Sequence, residues 1–207
     1  MKKILFILAL TGIVPLFSMA TGRISFDEKV LRLVEETTKD VRENILPFWE
    51  KNAPDVRGGF YGTLLNDGTP LRDAPKGGVL NARILWTFSK AYELFKKEKY
   101  KQLADRAQDY FVQYFIDPEY GGTYWTLRAD GTPENTDKQT YGIAFGIYGL
   151  AQHYRSTGNS ESLRQAIALY HTLEKHAYDS VNGGYIELFT RNWQTPPRYG
   201  YDGKGIA

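Results

Sequence analysis

The distribution of apolar and polar positions along the chain predicts five helices of two kinds. Three segments are amphipathic, with apolar residues on one helical face and charged residues opposite: residues 26–45, 97–115 and 161–177. The apolar face of the first consists of Val30, Leu33, Val34, Thr37, Val41 and Ile45. Two further segments, residues 79–95 and 138–154, are apolar or small nearly all round, which is typical of buried helices. Capping-box spacing precedes two of the helices, at Ser25 and Glu28 and at Thr136 and Gln139.

Between these helices a short motif recurs about every 62 residues. It reads "DVRGGFYGTLLNDGTP" from Asp55, "DPEYGGTYWTLRADGTP" from Asp117 and, more weakly, "DSVNGGYIELFTRNWQ" from Asp179. Each copy has a Gly pair followed by residues rich in aromatic and β-branched side chains, which favour strands. The first two copies also contain Asp-Gly, a strong hairpin signal. Each unit is therefore predicted to carry a Gly-Gly turn and a short β-hairpin or extended loop.

The order of outer helix, hairpin loop and inner helix, repeated along the chain, predicts a toroid of helical hairpins. Amphipathic helices suit an outer ring and all-apolar helices suit an inner ring, so the predicted fold is an all-α (α/α)6 barrel with short β-hairpin loops. Six units of this length need roughly 400 residues. The 207 residues are therefore expected to hold about the first half, ending where a third inner helix should begin. We expect self-association through the open edge of such a half-barrel.

The first 20 residues have the features of a secretory signal peptide. Lys2 and Lys3 precede an apolar run over residues 4–17, and Ser18-Met19-Ala20 offers small residues for cleavage after Ala20. The alternative, a membrane anchor, needs about 20 apolar residues, and this run is shorter. We predict a signal peptide over residues 1–20, an exported protein, and a barrel domain over residues 21–207.

Charge and composition narrow the classes of partner. Cleavage after Ala20 would remove two lysines and no acidic residue, which lowers the net charge from +2 to zero. A neutral chain without a basic cluster has no electrostatic footprint for nucleic acid or for an acidic membrane surface. The chain has no cysteine, so disulfides and thiolate chemistry are excluded. No metal site and no cofactor are predicted.

Candidate ligand-binding residues lie in the first turns of the two inner helices, where a barrel opens to its ligand. Arg83 is unusual in so apolar a helix, because burying an unpaired charge is costly. It is either half of a salt bridge, to Asp55 or Asp67, or a ligand-binding group. Aromatic residues are abundant near the hairpins: Trp49, Phe60, Tyr61, Tyr124, Trp125 and Tyr185. They pack the hairpins onto the helices or, with fixed polar groups, form the kind of cleft that binds a sugar.

Five ordered blocks resemble the N-acylglucosamine 2-epimerase family, and within it the cellobiose 2-epimerase branch: "ILPFWEKNAPDVRGGFYG", "NARILWTFSKAY", "DPEYGGTYW", "KQTYGIAFGIYGLAQHY" and "ALYHTLEKHAYDSVNGGYIE". The resemblance covers the chain from about residue 40 to its end. It implies an (α/α)6 barrel and inversion at C2 of a reducing-end sugar through an enediolate. It also implies that Arg83 contacts the reacting end of the sugar and that Tyr141 is a pocket tyrosine. Asn81 and Trp86 share the arginine's block and are predicted to bind substrate too.

None of the three histidines matches a catalytic position of the family. His153 lies about three turns into the second inner helix, and His171 and His176 lie on an outer helix. The family's catalytic histidines belong to motifs expected beyond Ala207, so we predict no catalytic residue within this chain. Three interpretations stay open: a 2-epimerase without its catalytic half, a secreted carbohydrate-binding half-barrel without chemistry and, more remotely, a six-hairpin glycosidase. The last needs a pair of carboxylates across the cleft, and the sequence shows none.

Overall fold

The computed structural model describes residues 25–196, and this part of the chain contains six α-helices. They are α1 (Phe26–Asp40), α2 (Leu46–Asn52), α3 (Gly78–Phe95), α4 (Glu98–Tyr110), α5 (Thr140–Thr157) and α6 (Ser160–His176). A π-helical turn, Val41–Ile45, joins α1 to α2, and a second, Phe111–Phe115, extends α4. The short strands are β1 (Lys76–Gly77), β2 (Thr126–Leu127), β3 (Pro133–Asn135), β4 (Lys138–Gln139) and β5 (Leu188–Phe189). The predicted signal peptide lies outside the described residues.

The helices pack in two layers, as the sequence pattern predicts. The two apolar helices α3 and α5 lie side by side, with α4 packed against α3 and α6 against α5. Gly149 permits the close approach of α3 and α5, because a Cβ there would lie 2.6 Å from the carbonyl oxygen of Ala82. Leu85 and Phe111 are completely buried where these layers meet. Residues 25–196 thus form part of a ring of helical hairpins, which does not close within the described residues.

Strand pairing joins the hairpin loops of neighbouring repeat units, and equivalent positions pair in both sheets. Strand β1 pairs with β2, which pairs with β3, and β4 pairs with β5. Lys76 lies opposite Leu127 in the first of these sheets, and Lys138 lies opposite Phe189 in the second. The start of each described inner helix is therefore fixed by the hairpin that follows that helix in the chain.

Two buried ion pairs give the first two of the repeated aspartates a structural role. The Nζ atom of Lys76 lies 2.9 Å from the carboxylate of Asp55, and that of Lys138 lies 2.8 Å from the carboxylate of Asp117. All four side chains are at most 1% exposed. Each pair joins the start of a Gly-Gly loop to the start of the inner helix 21 residues later. Asp55 and Asp117, the aspartates of the first two copies, are therefore structural anchors.

One of the two predicted capping boxes is confirmed and the other is wrong. Ser25 Oγ accepts the N–H of Glu28 at 3.1 Å, and the Glu28 carboxylate accepts the N–H of Ser25 at 2.8 Å. Helix α5 instead begins at Thr140, and its N-cap, Gln139, makes no side-chain cap. The N–H of Thr140 donates to the carbonyl oxygen of Glu187 at 2.9 Å. The residue just before β5 therefore provides the acceptor that this N–H lacks within the helix.

Helix α1 is amphipathic but buries no residue. Its apolar face is open, with Leu33 60% and Val34 55% exposed. Such a face normally packs against another element. In residues 25–196, no helix is both long enough and apolar enough to cross a membrane.

Candidate functional site

A cleft of about 710 Å³ lies between the exposed faces of α3 and α5. Its volume falls within the range of small-molecule sites, about 300–1,000 Å³. Seven residues line it: Arg83, Trp86 and Thr87 of α3, and Tyr141, Ala144, Phe145 and Tyr148 of α5. The lining is therefore mostly aromatic, with one positive charge.

Arg83 contributes that charge, and its guanidinium is exposed at the cleft. Among residues 25–196 it has no hydrogen-bond or salt-bridge partner. The alternative predicted from the sequence, a salt bridge to a loop aspartate, is not formed. Asp55 pairs with Lys76, and Asp67 accepts the backbone N–H of Thr69 at 2.9 Å. The donors of Arg83 are thus available to a ligand.

Four aromatic rings form a continuous wall of the cleft. Trp86 stacks on Tyr148, with ring centroids 5.2 Å apart and planes 10° apart. Phe145 packs edge-on against Tyr141 at 4.9 Å and against Tyr148 at 6.0 Å. Rings arranged in this way present apolar surface suited to the C–H face of a sugar.

The structure brings together three of the four residues predicted to bind substrate. Arg83, Trp86 and Tyr141 all line the cleft. Asn81 does not, because its side chain is buried and its amide donates to the carbonyl oxygen of Gly77 at 2.9 Å. That bond holds the first turn of α3, so Asn81 supports the helix that carries Arg83.

Sequence reasoning missed Phe145 and Tyr148. They follow Tyr141 by four and seven residues. Residues at this spacing share one face of a helix, so the spacing places all three rings on the same side of α5. The apolar character of the whole helix hid this face, because no polar stripe marks it.

The histidines lie elsewhere in the structure. His153 is fully buried, with Nε2 3.0 Å from Asp105 Oδ1 and Nδ1 2.7 Å from Ser162 Oγ. Burial lowers the pKa of His153, and the carboxylate of Asp105 only partly offsets this. His176 stacks on the Trp193 ring at 4.6 Å. His171 packs against its neighbour Tyr170 on the outer helix α6. All three histidines are therefore outside the cleft lining.

Carboxylates are also missing from the cleft lining in the described part of the chain. Across residues 25–196, no group of three or more His, Cys, Asp or Glu side chains is arranged to hold a metal ion. The described cleft can accordingly bind and orient a neutral polar molecule through one cation and several rings. The described lining contains no histidine and no carboxylic acid, the side chains most often used for proton transfer near neutral pH.

Comparison with known proteins shows which family this chain resembles. A sequence model of the N-acylglucosamine 2-epimerase (GlcNAc 2-epimerase) family matches residues 59–204. The chain is 44% identical over 162 residues to a cellobiose 2-epimerase of Bacteroides fragilis, covering 78% of this chain and 41% of that protein. The solved structure of cellobiose 2-epimerase from Spirochaeta thermophila superposes with a TM-score of 0.80 at 35% identity, covering 86% of this chain and 45% of the other.

A second solved structure agrees. Cellobiose 2-epimerase from Bacillus thermoamylovorans gives a TM-score of 0.77 at 38% identity, covering 81% of this chain and 43% of the other. The chain thus spans less than half the length of the relatives it matches. These relatives support the ring of helical hairpins derived above, and the family match extends over most of the chain. On these grounds the chain belongs to the N-acylglucosamine 2-epimerase family.

Proposed function

We propose that the chain supplies the sugar-positioning part of a carbohydrate 2-epimerase site, which acts at C2 of a reducing-end sugar. The observation that carries the proposal is the guanidinium of Arg83, which faces the cleft without a partner among residues 25–196. Because Arg83 is exposed at the cleft and its donors are unpaired among residues 25–196, a ligand in the cleft can use them. Arginine donors suit the oxygens of an opened sugar, and their charge would stabilise an enediolate.

The ring wall supplies the remaining recognition. Trp86 and Tyr148 offer stacked apolar surface beside Arg83, which a sugar ring or open chain can cover with its C–H groups. Tyr141 adds a phenol at the start of α5. In this proposal the arginine holds the reacting end, and the rings fix the plane of the substrate.

Proton transfer is not assigned to any described residue. Epimerisation at C2 requires a base that removes a proton and an acid that returns one on the opposite face. The buried His153 cannot meet a substrate in the cleft. We therefore propose that residues 25–196 bind the sugar but do not by themselves epimerise it. We also propose, from the N-terminal pattern, that the protein is exported.

A titration with cellobiose tests the proposal. Binding to the wild-type chain should be measurable by calorimetry, and Arg83→Ala should weaken it about ten- to hundredfold, because hydrogen bonds to charged groups contribute about 1.5–3 kcal/mol. Arg155→Ala is the matched control, since Arg155 is exposed near the end of α5 and lies 3.8 Å from Glu93. Equal affinities for wild type and Arg83→Ala would refute the role of Arg83.

The alternative function, a carbohydrate-binding protein without chemistry, shares this cleft. Both functions predict binding that depends on Arg83, but only the epimerase predicts selectivity for a sugar with a free reducing end. Comparison of cellobiose with its methyl β-glycoside, which cannot open, separates them. Preference for cellobiose favours the epimerase, whereas equal binding favours the binding protein.

A further inference from the structure

The cleft between α3 and α5 carries an unbalanced positive charge. Arg83 is the one charged residue of its described lining, which holds no carboxylate. The carboxylate of Glu187 accepts the N–H of Tyr141 at 3.4 Å, but Glu187 does not line the cleft. Nothing in the described lining therefore neutralises the guanidinium.

A second cavity that contains arginines, about 340 Å³ at the first two hairpins, gives the contrast. Its charged lining consists of two arginines and three acids: Arg57, Arg128, Asp73, Asp130 and Glu134. The Arg128 guanidinium also donates to the carbonyl oxygen of Pro133 at 2.8 Å. Positive charge at the hairpins is thus compensated within the same cavity, whereas that of the cleft is not.

An uncompensated guanidinium beside apolar rings favours a negatively charged ligand. Its N–H groups form a planar fork that matches the two oxygens of a carboxylate. A carboxylate also adds a Coulomb attraction that a neutral hydroxyl lacks. The stacked rings of Trp86 and Tyr148 lie in the same cleft and reduce the screening of this attraction by water.

We infer that the cleft also binds aldonates, the sugar acids whose C1 is a carboxylate, and binds them more tightly than the neutral sugar of the same skeleton. The inference rests on the proposed function, because it takes Arg83 as the group that meets C1. The carboxylate oxygens would accept the Arg83 donors, and the polyol chain would lie along the rings of Trp86 and Tyr148. An aldonate would then compete with the sugar for the cleft and inhibit epimerisation.

The experiment separates charge from open-chain shape with three ligands of one skeleton. Cellobionate is open-chain and anionic, cellobiitol is open-chain and neutral, and cellobiose is the neutral sugar. Each is titrated calorimetrically into the full chain at pH 7 and constant ionic strength, because salt screens charge attraction at an exposed site. Arg83→Ala removes the cation of the cleft. Arg128→Ala is the matched control, because it removes a cation from the hairpin cavity instead.

Cellobionate should bind the wild-type chain about three- to tenfold more tightly than cellobiose or cellobiitol, as expected for a partly exposed bidentate ion pair. Raising the salt concentration to about 1 M should reduce this preference. In Arg83→Ala the preference should disappear. The thermal midpoint of that variant should stay near wild type, because the Arg83 side chain is exposed and unpaired among residues 25–196. Arg128→Ala should keep the preference.

Each other result overturns a defined part of the account. Equal affinity for cellobionate and cellobiose would refute the preference for sugar acids, while cellobiose binding that depends on Arg83 would leave the proposed function standing. Cellobiitol binding as tight as that of cellobionate would show that shape and not charge decides, which also refutes the inference. A preference for cellobionate that survives in Arg83→Ala would place the anion outside the cleft. Binding of cellobionate without cellobiose would support the charge preference but contradict the proposed function, and binding of neither would contradict both.

Discussion

Replacing Asp117 with asparagine should destabilise the chain strongly, because this carboxylate is the buried partner of two cations. It lies 2.8 Å from Lys138 Nζ and 2.9 Å from Arg191 Nε, and a second Arg191 contact measures 3.1 Å. It also accepts the backbone N–H groups of Glu119 and Tyr120. One side chain thus joins a loop, the start of α5 and the third hairpin.

The magnitude follows from what the substitution leaves behind. An asparagine would keep the shape of the Asp117 side chain but would face the completely buried ammonium of Lys138 without a countercharge. Removing one partner of a buried ion pair costs about 3–5 kcal/mol. For a chain of this size, that corresponds to a fall in thermal midpoint of about 6–20 °C.

The assay is thermal unfolding followed by far-ultraviolet circular dichroism at pH 7. Asp179→Asn is the matched control, because Asp179 occupies the same position in the third repeat. Its carboxylate accepts the N–H groups of Val181 and Asn182, at 2.9 and 3.0 Å, but has no cation partner among residues 25–196. An asparagine can accept the same two bonds, so the control should melt close to wild type.

The pH dependence supplies a second check. Burial alone would raise the pKa of Asp117, but hydrogen bonds from Arg191 and Lys138 outweigh it and hold that pKa well below its usual range. A carboxyl group whose pKa is lowered in the folded state stabilises the fold at pH values above its unfolded-state pKa, which is about 3.9 for aspartate. This stabilisation is lost progressively as the pH falls below that value. The midpoints of wild type and Asp117→Asn should therefore converge below about pH 4. If Asp117→Asn and Asp179→Asn have the same thermal midpoint at pH 7, the buried ion pair does not stabilise the fold.

Three further predictions concern the rest of the chain. Burial lowers the pKa of His153, so the free energy of unfolding should decrease as the pH falls below about 6.5, and His153→Gln should flatten this dependence in urea titrations. Gly62→Ala should sharply reduce soluble expression and the thermal midpoint, because its Cβ would lie 1.9 Å from the carbonyl oxygen of Pro75; a wild-type midpoint would contradict this. Residues 21–207 should associate and bind a hydrophobic dye through the open face of α1, less so after Leu33→Lys; a monomer without dye binding by light scattering and fluorescence would contradict the expectation.

Much of the fold could be predicted because the hydrophobic pattern and the repeat agree. The pattern separates the inner helices α3 and α5 from the amphipathic outer ones, and the 62-residue spacing gives their order. The buried lysines were missed, although Lys76 and Lys138 each follow a repeated aspartate by 21 residues. Lysine side chains are almost always exposed to solvent unless they are paired. Because the sequence does not reveal the partner, it does not suggest that Lys76 and Lys138 are buried.

The third hairpin shows a different limit. Trp193 stands where the first two copies have the glycine of Asp-Gly, and it adopts a left-handed backbone with φ of 65°. An aromatic residue is rarely found in that region. Contacts across the chain support it, because its ring stacks on His176 and its indole N–H donates to the carbonyl oxygen of Tyr120 at 2.8 Å. Tertiary contacts of this kind leave no local signal in the sequence.

The candidate site was predicted in part for similar reasons. The odd charge of Arg83 in an apolar helix could be recognised, and the structure places it on the cleft. Asn81, two residues earlier, was expected beside it but turns inward to bond Gly77. Only the helix rotation, set by packing of α3 against α5, decides which of the two faces the ligand.

A single nuclear magnetic resonance experiment tests the central claim, which is that the described cleft positions a sugar through Arg83 without moving its C2 proton. Cellobiose is incubated with the purified chain in D₂O, and saturation transfer from protein to sugar is recorded together with the intensity of the C2 proton of the reducing ring. The account predicts transfer that persists in Arg155→Ala and is strongly reduced in Arg83→Ala, with a constant C2 signal throughout. Absence of transfer to the wild-type chain, or a C2 signal that decays only while Arg83 is present, would contradict it.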